Sequence, residues 1–260
     1  MSGDYKVSII TPCYNSAKYI DDTIRSVINQ SYHNWEMLVV DDCSTDDSCN
    51  IVERWIEKEA RIKLTKLKEN LGAAVARNNA LNEASGRFIA YLDADDLWHP
   101  DKLNKQVMFM INKECGFSCT SYEVIDNVGK SMNKYVYMKE RLNYLGFLTN
   151  NLLQTVGIMV DTNIVDRVLL EMPQLWRGQD AATWLQILKA GHDCYGLCEV
   201  LSKYRRTIGS LSSNKFKAIK RTWILYRKVE HLSLPYSCYC FIRYAVLAVW
   251  KRIYLKGNNH

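Results

Sequence analysis

Short apolar runs alternate with amphipathic stretches through the first hundred residues. VSIIT (7–11), MLVV (37–40), IKLTKL (62–67) and FIAYL (88–92) are compact, β-branched or aromatic, and bounded by polar residues. Each has the length and composition of a buried strand. Between them, Ile20, Ile24, Val27 and Ile28 recur at helical spacing, as do Val52, Trp55, Ile56 and Glu59 after the capping-type stretch STDDS. Residues 73–84 are Ala-rich and stop before Gly86. Strand and helix in strict alternation predict βαβ units and a mainly parallel sheet. Right-handed crossovers then place the carboxyl ends of the strands along one edge.

That edge is polar. PCYN follows the first run, DDCSTDD the second, and DADD follows FIAYL. Open α/β sheets take ligands just beyond these strand ends, so the three clusters predict one acidic site. STDDS also reads as a helix start, with Ser44, Thr45 and Asp46 accepting N–H groups. DADD has no such alternative, because Leu-Trp-His-Pro follows it. In extended backbone Asp93 and Asp95 would point to the same side. Two converging carboxylates suit a hard cation, Mg²⁺ or Mn²⁺, completed by water and substrate phosphate. Neither GxxxxGK[ST] nor GxGxxG occurs, so a Gly-rich loop does not cradle the phosphates.

Charge divides the chain. The net value is +6, yet residues 203–260 hold 13 Lys and Arg against one acid, Glu230, a balance of +12. The remaining 21 bases and 27 acids leave the body at −6. A basic tail of this kind meets nucleic acid, a membrane surface or phosphate-bearing ligands. Residues 215–230 and 236–256 read as its two helices. CYCFIRYAVLAVW (238–250) is shorter than the ~20 apolar residues of a membrane span and is broken by Arg243. It reads either as an interfacial helix on an anionic membrane or as a helix packed on the body. The nine cysteines lack zinc spacing and read as reduced thiols of a cytoplasmic protein; no secretory signal is expected at the start.

VSIITPCYNSAKYIDDTIRSVINQSYHNWEMLVVDDCSTDDS, followed by NLGAAVARNNALNEASGRFIAYLDADDLWHPDKL, resembles the family 2 inverting glycosyltransferases of GT-A fold. The resemblance is close over residues 5–105 and weaker through 154–160, 178–191 and 204–212. It implies a Rossmann-like nucleotide-binding mixed sheet flanked by helices. The expected organisation is a catalytic domain over 1–212, with a donor half (1–112) and an acceptor half (113–212), then a membrane-proximal helical tail (213–260).

Residue roles follow from the resemblance. Thr11, Pro12 and Tyr14 border the donor base; Tyr14 either stacks on it or is a surface tyrosine on a turn. Asp42 matches the acid that accepts the uracil N3–H, and Asp41 orients it or caps the turn. Asn70, Gly72 and Arg77 lie on the nucleotide side, Arg77 pairing with the acids or the diphosphate, or standing free on its helix. Asp93, Ala94 and Asp95 form the DxD element, Asp95 the stronger metal ligand and Asp93 turned toward the ribose. GQDAATWLQILKAG resembles the family's "ED" helix start, with Gln179 in place of Glu and Asp180 as general base. Trp176 stacks on an acceptor sugar or belongs to the core. Thr207 stands where many relatives carry a metal-binding His, and Arg205 and Arg206 could clamp the diphosphate instead.

The reading that results is metal-dependent transfer of a hexose, first glucose, from a UDP-sugar to a sugar on undecaprenyl diphosphate. The bond formed is β, in O-antigen or other surface polysaccharide synthesis. It places the enzyme on the cytoplasmic face of the inner membrane through its tail, with no nucleic-acid partner. UDP-galactose or a UDP-N-acetylhexosamine is the alternative donor, and a non-catalytic nucleotide-sugar binder the alternative role.

Overall fold

The computed structural model describes residues 5–150, 152–175, 178–206, 220 and 222–257, with side chains up to 247. Strand β1 (Val7–Cys13) pairs in parallel with β2 (Trp35–Asp41) and β4 (Phe88–Tyr91), and β2 with β3 (Ile62–Lys66). Helices α1 (Ile20–Ile28), α2 (Ser48–Ile56) and α3 (Ala73–Glu83) make the crossovers. Each run therefore forms its expected element, with ends shifted by a few residues. Strand β1 runs two residues further than expected and includes Pro12. Its ladder to β4 ends at Ile10↔Tyr91, so on that side the missing proline N–H breaks no pairing.

Beyond β4 the sheet stops being parallel. Strand β5 (Leu97–Trp98) follows DADD, and α4 (Lys102–Lys113) leads into β6 (Phe117–Ile125) and its hairpin partner β7 (Ser131–Val136). Next come β8 (Arg141–Leu142), α5 (Tyr144–Thr149), β9 (Ile158–Asp161), α6 (Gln179–Lys189) and β10 (Cys194–Arg205). Strand β9 lies antiparallel between β4 and β6, while β10 runs parallel to β6, in the order β3-β2-β1-β4-β9-β6-β10-β5. The mainly parallel sheet predicted from alternation is thus a mixed one. Alternation ended at FIAYL, and β9 adds its edge from seventy residues downstream.

Neighbouring strand residues face opposite cores. Ile9, Met37, Val39 and Phe88 join α1, α2 and α4; Ile10, Leu38, Val40 and Tyr91 join α3, α5 and α6. In the second core Trp184 of α6 is 1% exposed. It meets Tyr91 edge-on at 5.2 Å and Phe117 at 5.9 Å. Aromatic anchors of this size cost about 3–5 kcal/mol to remove, so α6 is fixed firmly against the sheet. Helix α7 (Leu234–Gly257) packs on α5 after a π-helical turn at Leu225–Val229. The second expected tail helix, 236–256, falls within α7; of the first, 215–230, residues 215–219 and 221 lie outside the described residues, and 222–229 are helical and end in the π-helical turn. Among the described residues no helix is long and apolar enough to cross a membrane.

Candidate active site

A cleft of about 400 Å³ opens at the carboxyl ends of β1, β2 and β4, lined by Pro12, Tyr14, Asp42, Arg77, Asp93, Ala94 and Asp95 among others. One wall is two loops laced together. Asn15 sits at φ +48 and donates its N–H to Ser44 Oγ, while its side-chain Oδ1 accepts the Thr45 N–H. Asp46 accepts the N–H groups of Ala17 and Ser48, and Ser48 Oγ accepts that of Ser16. Of the expected caps only Asp46 accepts an N–H of α2, that of Ser48; Ser44 and Thr45 are bonded to Asn15 of the PCYN loop instead. Asn15 and Ser16 were not singled out from the sequence. The signal was there, since asparagine tolerates the left-handed region.

Thr11 is fully buried with an unpaired hydroxyl and does not line the cleft, whereas Tyr14 is 50% exposed at its rim. Asp42 is buried, and its two oxygens accept the N–H groups of Leu71 and Gly72, each at 2.8 Å. Gly72 sits at φ +90, a conformation that favours glycine. Asp42 thus holds the start of α3 while each of its oxygens keeps a further lone pair. Asp41 accepts the Ser44 N–H at 2.9 Å and caps the turn.

DADD is a turn, with the Asp96 N–H donating to Asp93 O, and not the extended segment the period-two argument assumed. Asp93 and Asp95 still share the cleft, because the turn curls around it. The turn is held from outside. The Thr23 hydroxyl reaches Ala94 O and Asp96 O, both at 2.9 Å. The Arg205 N–H donates to Asp96 Oδ1 at 2.7 Å, and its Nε to Asp95 O at 2.6 Å. A third bond runs from Arg205 to Asp126 O. Arg205 is 3% exposed and stacks on Tyr19 of the cleft wall at 4.8 Å. The guanidinium expected to clamp a diphosphate is buried and donates to two carbonyl oxygens, so Arg205 braces the turn; the Asp96 carboxylate engages only its backbone N–H, and Nη2 has no partner among the described residues. Arg206 is exposed. Thr207 and Trp176 lie outside the described residues. Thr23 and Asp126 were missed, and only the fold brings them to the turn.

Arg77 donates to Asp93 Oδ1 at 2.5 Å and is almost fully buried. Burial opposes its charge, but Asp93 and, more weakly, Asp180 raise its pKa above the ordinary value. Asp180 lies in the first turn of α6, after Gly178 at φ +83, near enough for its charge to act on Arg77, but it is not among the residues that line the cleft. Burial first, then the charge of Asp93, pushes Asp95 up to about 6. Burial with Asp95 and Asp93 drives Asp96 well above the carboxylate range.

The carboxylates here have less positive charge than they need. The donor set fits a hard divalent cation, since Asp95 is partly exposed in the cleft and Asp93 keeps one oxygen free of Arg77. Among the described residues no third Asp, Glu, His or Cys joins them.

The family model described as Glycosyl transferase family 2 matches residues 8–167. The chain is 44% identical over 247 residues to TuaG of Bacillus subtilis (strain 168), whose name reads "Putative teichuronic acid biosynthesis glycosyltransferase", covering 95% of this chain and 97% of TuaG. It is 39% identical over 265 residues, 98% of both chains, to WfgD of Escherichia coli, named UDP-Glc:alpha-D-GlcNAc-diphosphoundecaprenol beta-1,3-glucosyltransferase. Among solved structures, TarS of S. aureus (residues 1–349, with UDP-GlcNAc) superposes with TM-score 0.71 at 20% identity, over 92% of this chain and 71% of that one. The mannosyltransferase PcManGT of Pyrobaculum calidifontis, with GDP-Man and Mn²⁺, gives 0.66 at 19%, over 96% and 80%. With its mixed sheet and flanking helices, the chain belongs to glycosyl transferase family 2 and is a glycosyltransferase of GT-A fold.

Proposed function

We propose that the protein transfers glucose from UDP-glucose to a hydroxyl of an N-acetylglucosamine carried on undecaprenyl diphosphate. The product is a β-linked disaccharide for a surface polysaccharide such as an O-antigen. The observation that carries this reading is the near end-to-end match to WfgD, whose name states that donor and acceptor. A cleft able to take a nucleoside diphosphate supports it.

Residues 1–112 hold the donor in this reading and 113–212 the acceptor. Tyr14 stacks on the uracil at the rim, and Asp42 uses its spare lone pairs for the uracil N3–H. Asp180 accepts the proton of the acceptor hydroxyl as its oxygen bonds to the anomeric carbon. Attack comes from the face opposite the leaving group, so an α-linked donor gives a β-linked product. The bond from that carbon to the diphosphate oxygen breaks, and its electron pair leaves with UDP. Asp95 and the free oxygen of Asp93 would hold Mn²⁺ or Mg²⁺, whose charge offsets that of the departing diphosphate. Arg77 holds Asp93 in place. A lipid-linked acceptor puts the reaction at the cytoplasmic face of the inner membrane.

The test is transfer from a panel of UDP-sugars to synthetic lipid-diphosphate-linked GlcNAc and GalNAc, with Mn²⁺ or with EDTA. Metal-dependent glucosylation of the GlcNAc acceptor supports the reading. Normal UDP binding with no product from any pair would reject it.

A further inference from the structure

Helix α7 uses only part of its surface to hold itself to the body. Ser237 and Cys240 are fully buried, and Phe241 is packed against the core. The opposite side is apolar and bare: Tyr239, Ile242 and Val246 are 46–61% exposed, Ile242 the most. Their spacing puts Tyr239, Ile242 and Val246 on one stripe. Such a stripe normally faces a core, and among the described residues none covers it.

The charge beside the stripe is of one sign. Arg227, Lys228 and Arg243 are exposed, and among the described residues no carboxylate pairs with any of them. The tail's single acid, Glu230, is buried and engaged by the Tyr144 hydroxyl and Lys189. The sequence of the helix continues with Lys251, Arg252 and Lys256. A second copy of the chain would bring cations against cations. An apolar stripe beside unpaired cations and tyrosines matches an interface of acyl chains under anionic headgroups.

We propose that the outward face of α7, centred on Tyr239, Ile242 and Val246, docks in the surface of a bilayer carrying anionic lipid headgroups. The purpose of the contact rests on the lipid-linked acceptor read above; the contact itself rests on α7. Helix α7 packs on α5, and α5 on α6, whose first turn bears Asp180. Docking would therefore set the height of the base above the membrane.

The test is sedimentation of the full chain with phosphatidylcholine vesicles, alone or mixed with phosphatidylglycerol. Binding is expected to the mixed vesicles and to weaken in salt. The double variant Ile242→Glu/Val246→Glu is expected to bind them about tenfold more weakly or worse. UDP affinity, and transfer to a short-chain soluble acceptor, should stay unchanged. Should that variant misfold, Ile242→Ser/Val246→Ser, with UDP binding as the fold control, serves in its place. No vesicle binding, or equal binding by the folded variant, overturns the proposal. So does a mass by light scattering that falls from dimer to monomer in the variant, since the face would then join two copies. Vesicle binding without transfer to any lipid-linked acceptor would leave the docking face standing and remove the proposed reaction.

Discussion

At the amino ends of the parallel strands, Glu36 is 2% exposed and surrounded by donors: Ser8, Ser85, Lys6 and Lys63. Burial alone would push it up, but bonds from the Ser85 backbone and hydroxyl, from Ser8 and from Lys63 outweigh burial and bring it down to about 2. At the carboxyl ends of the same strands, Asp96 is buried and Asp95 half-buried, and both are pushed up. One sheet thus neutralises a buried carboxylate completely at one end and leaves carboxylates short of positive charge at the other. Such a shortfall is the mark of a candidate site for a charged ligand, whereas the complete set of donors around Glu36 is that of a contact holding the fold together.

The largest effects expected are at the under-neutralised end. Asp180→Asn should lower kcat by about 10²–10⁴ while calorimetry shows unchanged UDP affinity; surviving transfer would move the base elsewhere. Asp95→Ala should abolish the Mn²⁺ dependence of UDP binding. A variant that still needs Mn²⁺ would break the comparison, since the shortfall of charge would then have another use.

The brace comes next. Arg205→Met removes the side-chain bond to Asp95 O and leaves the backbone bond to Asp96. A displaced turn should cost about 10²-fold in turnover and weaken Mn²⁺ binding measured by electron paramagnetic resonance. A fall in melting temperature with normal metal affinity would make Arg205 merely structural.

Glu36 should behave in the opposite sense. Glu36→Gln should cost about 2–3 kcal/mol of stability in urea unfolding and leave kcat at permissive temperature unchanged. The sign follows from its depressed pKa. The folded protein holds fewer protons there than the unfolded chain, so this stabilisation is complete above the unfolded value near 4.5 and is lost as pH falls toward 2. A wild type and variant with parallel acid unfolding would show that Glu36 is not the group responsible.

The smallest effect is at Lys102, a fully buried amine with no hydrogen-bond partner among the described residues, 3.8 Å from the Trp98 ring. Burial brings it down to about 7. Because the unfolded chain holds that proton up to about pH 10.4, stability should rise from pH 7 toward that value. Lys102→Met should flatten the rise and add about 1 kcal/mol near neutral pH. Loss of stability instead would mean the amine has a partner beyond the described residues.

How much of this was legible depended on whether a residue's partners lie close along the chain. The four strands, their helices and the edge bearing Tyr14, Asp42, Asp93 and Asp95 follow from apolar period and strand-end polarity, which local sterics and burial impose within about ten residues. The turn at DADD was misread as extended because what shapes it, Thr23, Arg205 and Asp126, lies 70, 110 and 30 residues away. The antiparallel β9 and the buried role of Arg205 were hidden for the same reason. Nothing in YRR distinguishes a brace from a clamp until β10 is laid beside β6.

The sequence by itself determined the α/β alternation, the acidic edge, the basic tail and the likeness to a glycosyltransferase family, because periodicity, charge and motif order are properties of the chain. Only the tertiary structure decided which carboxylates are neutralised and which are left short, how the DADD turn is held, and which side of α7 stays bare. Those outcomes depend on desolvation and on donors that distant segments bring within 3 Å, and a carboxylate's environment is not written in its neighbours.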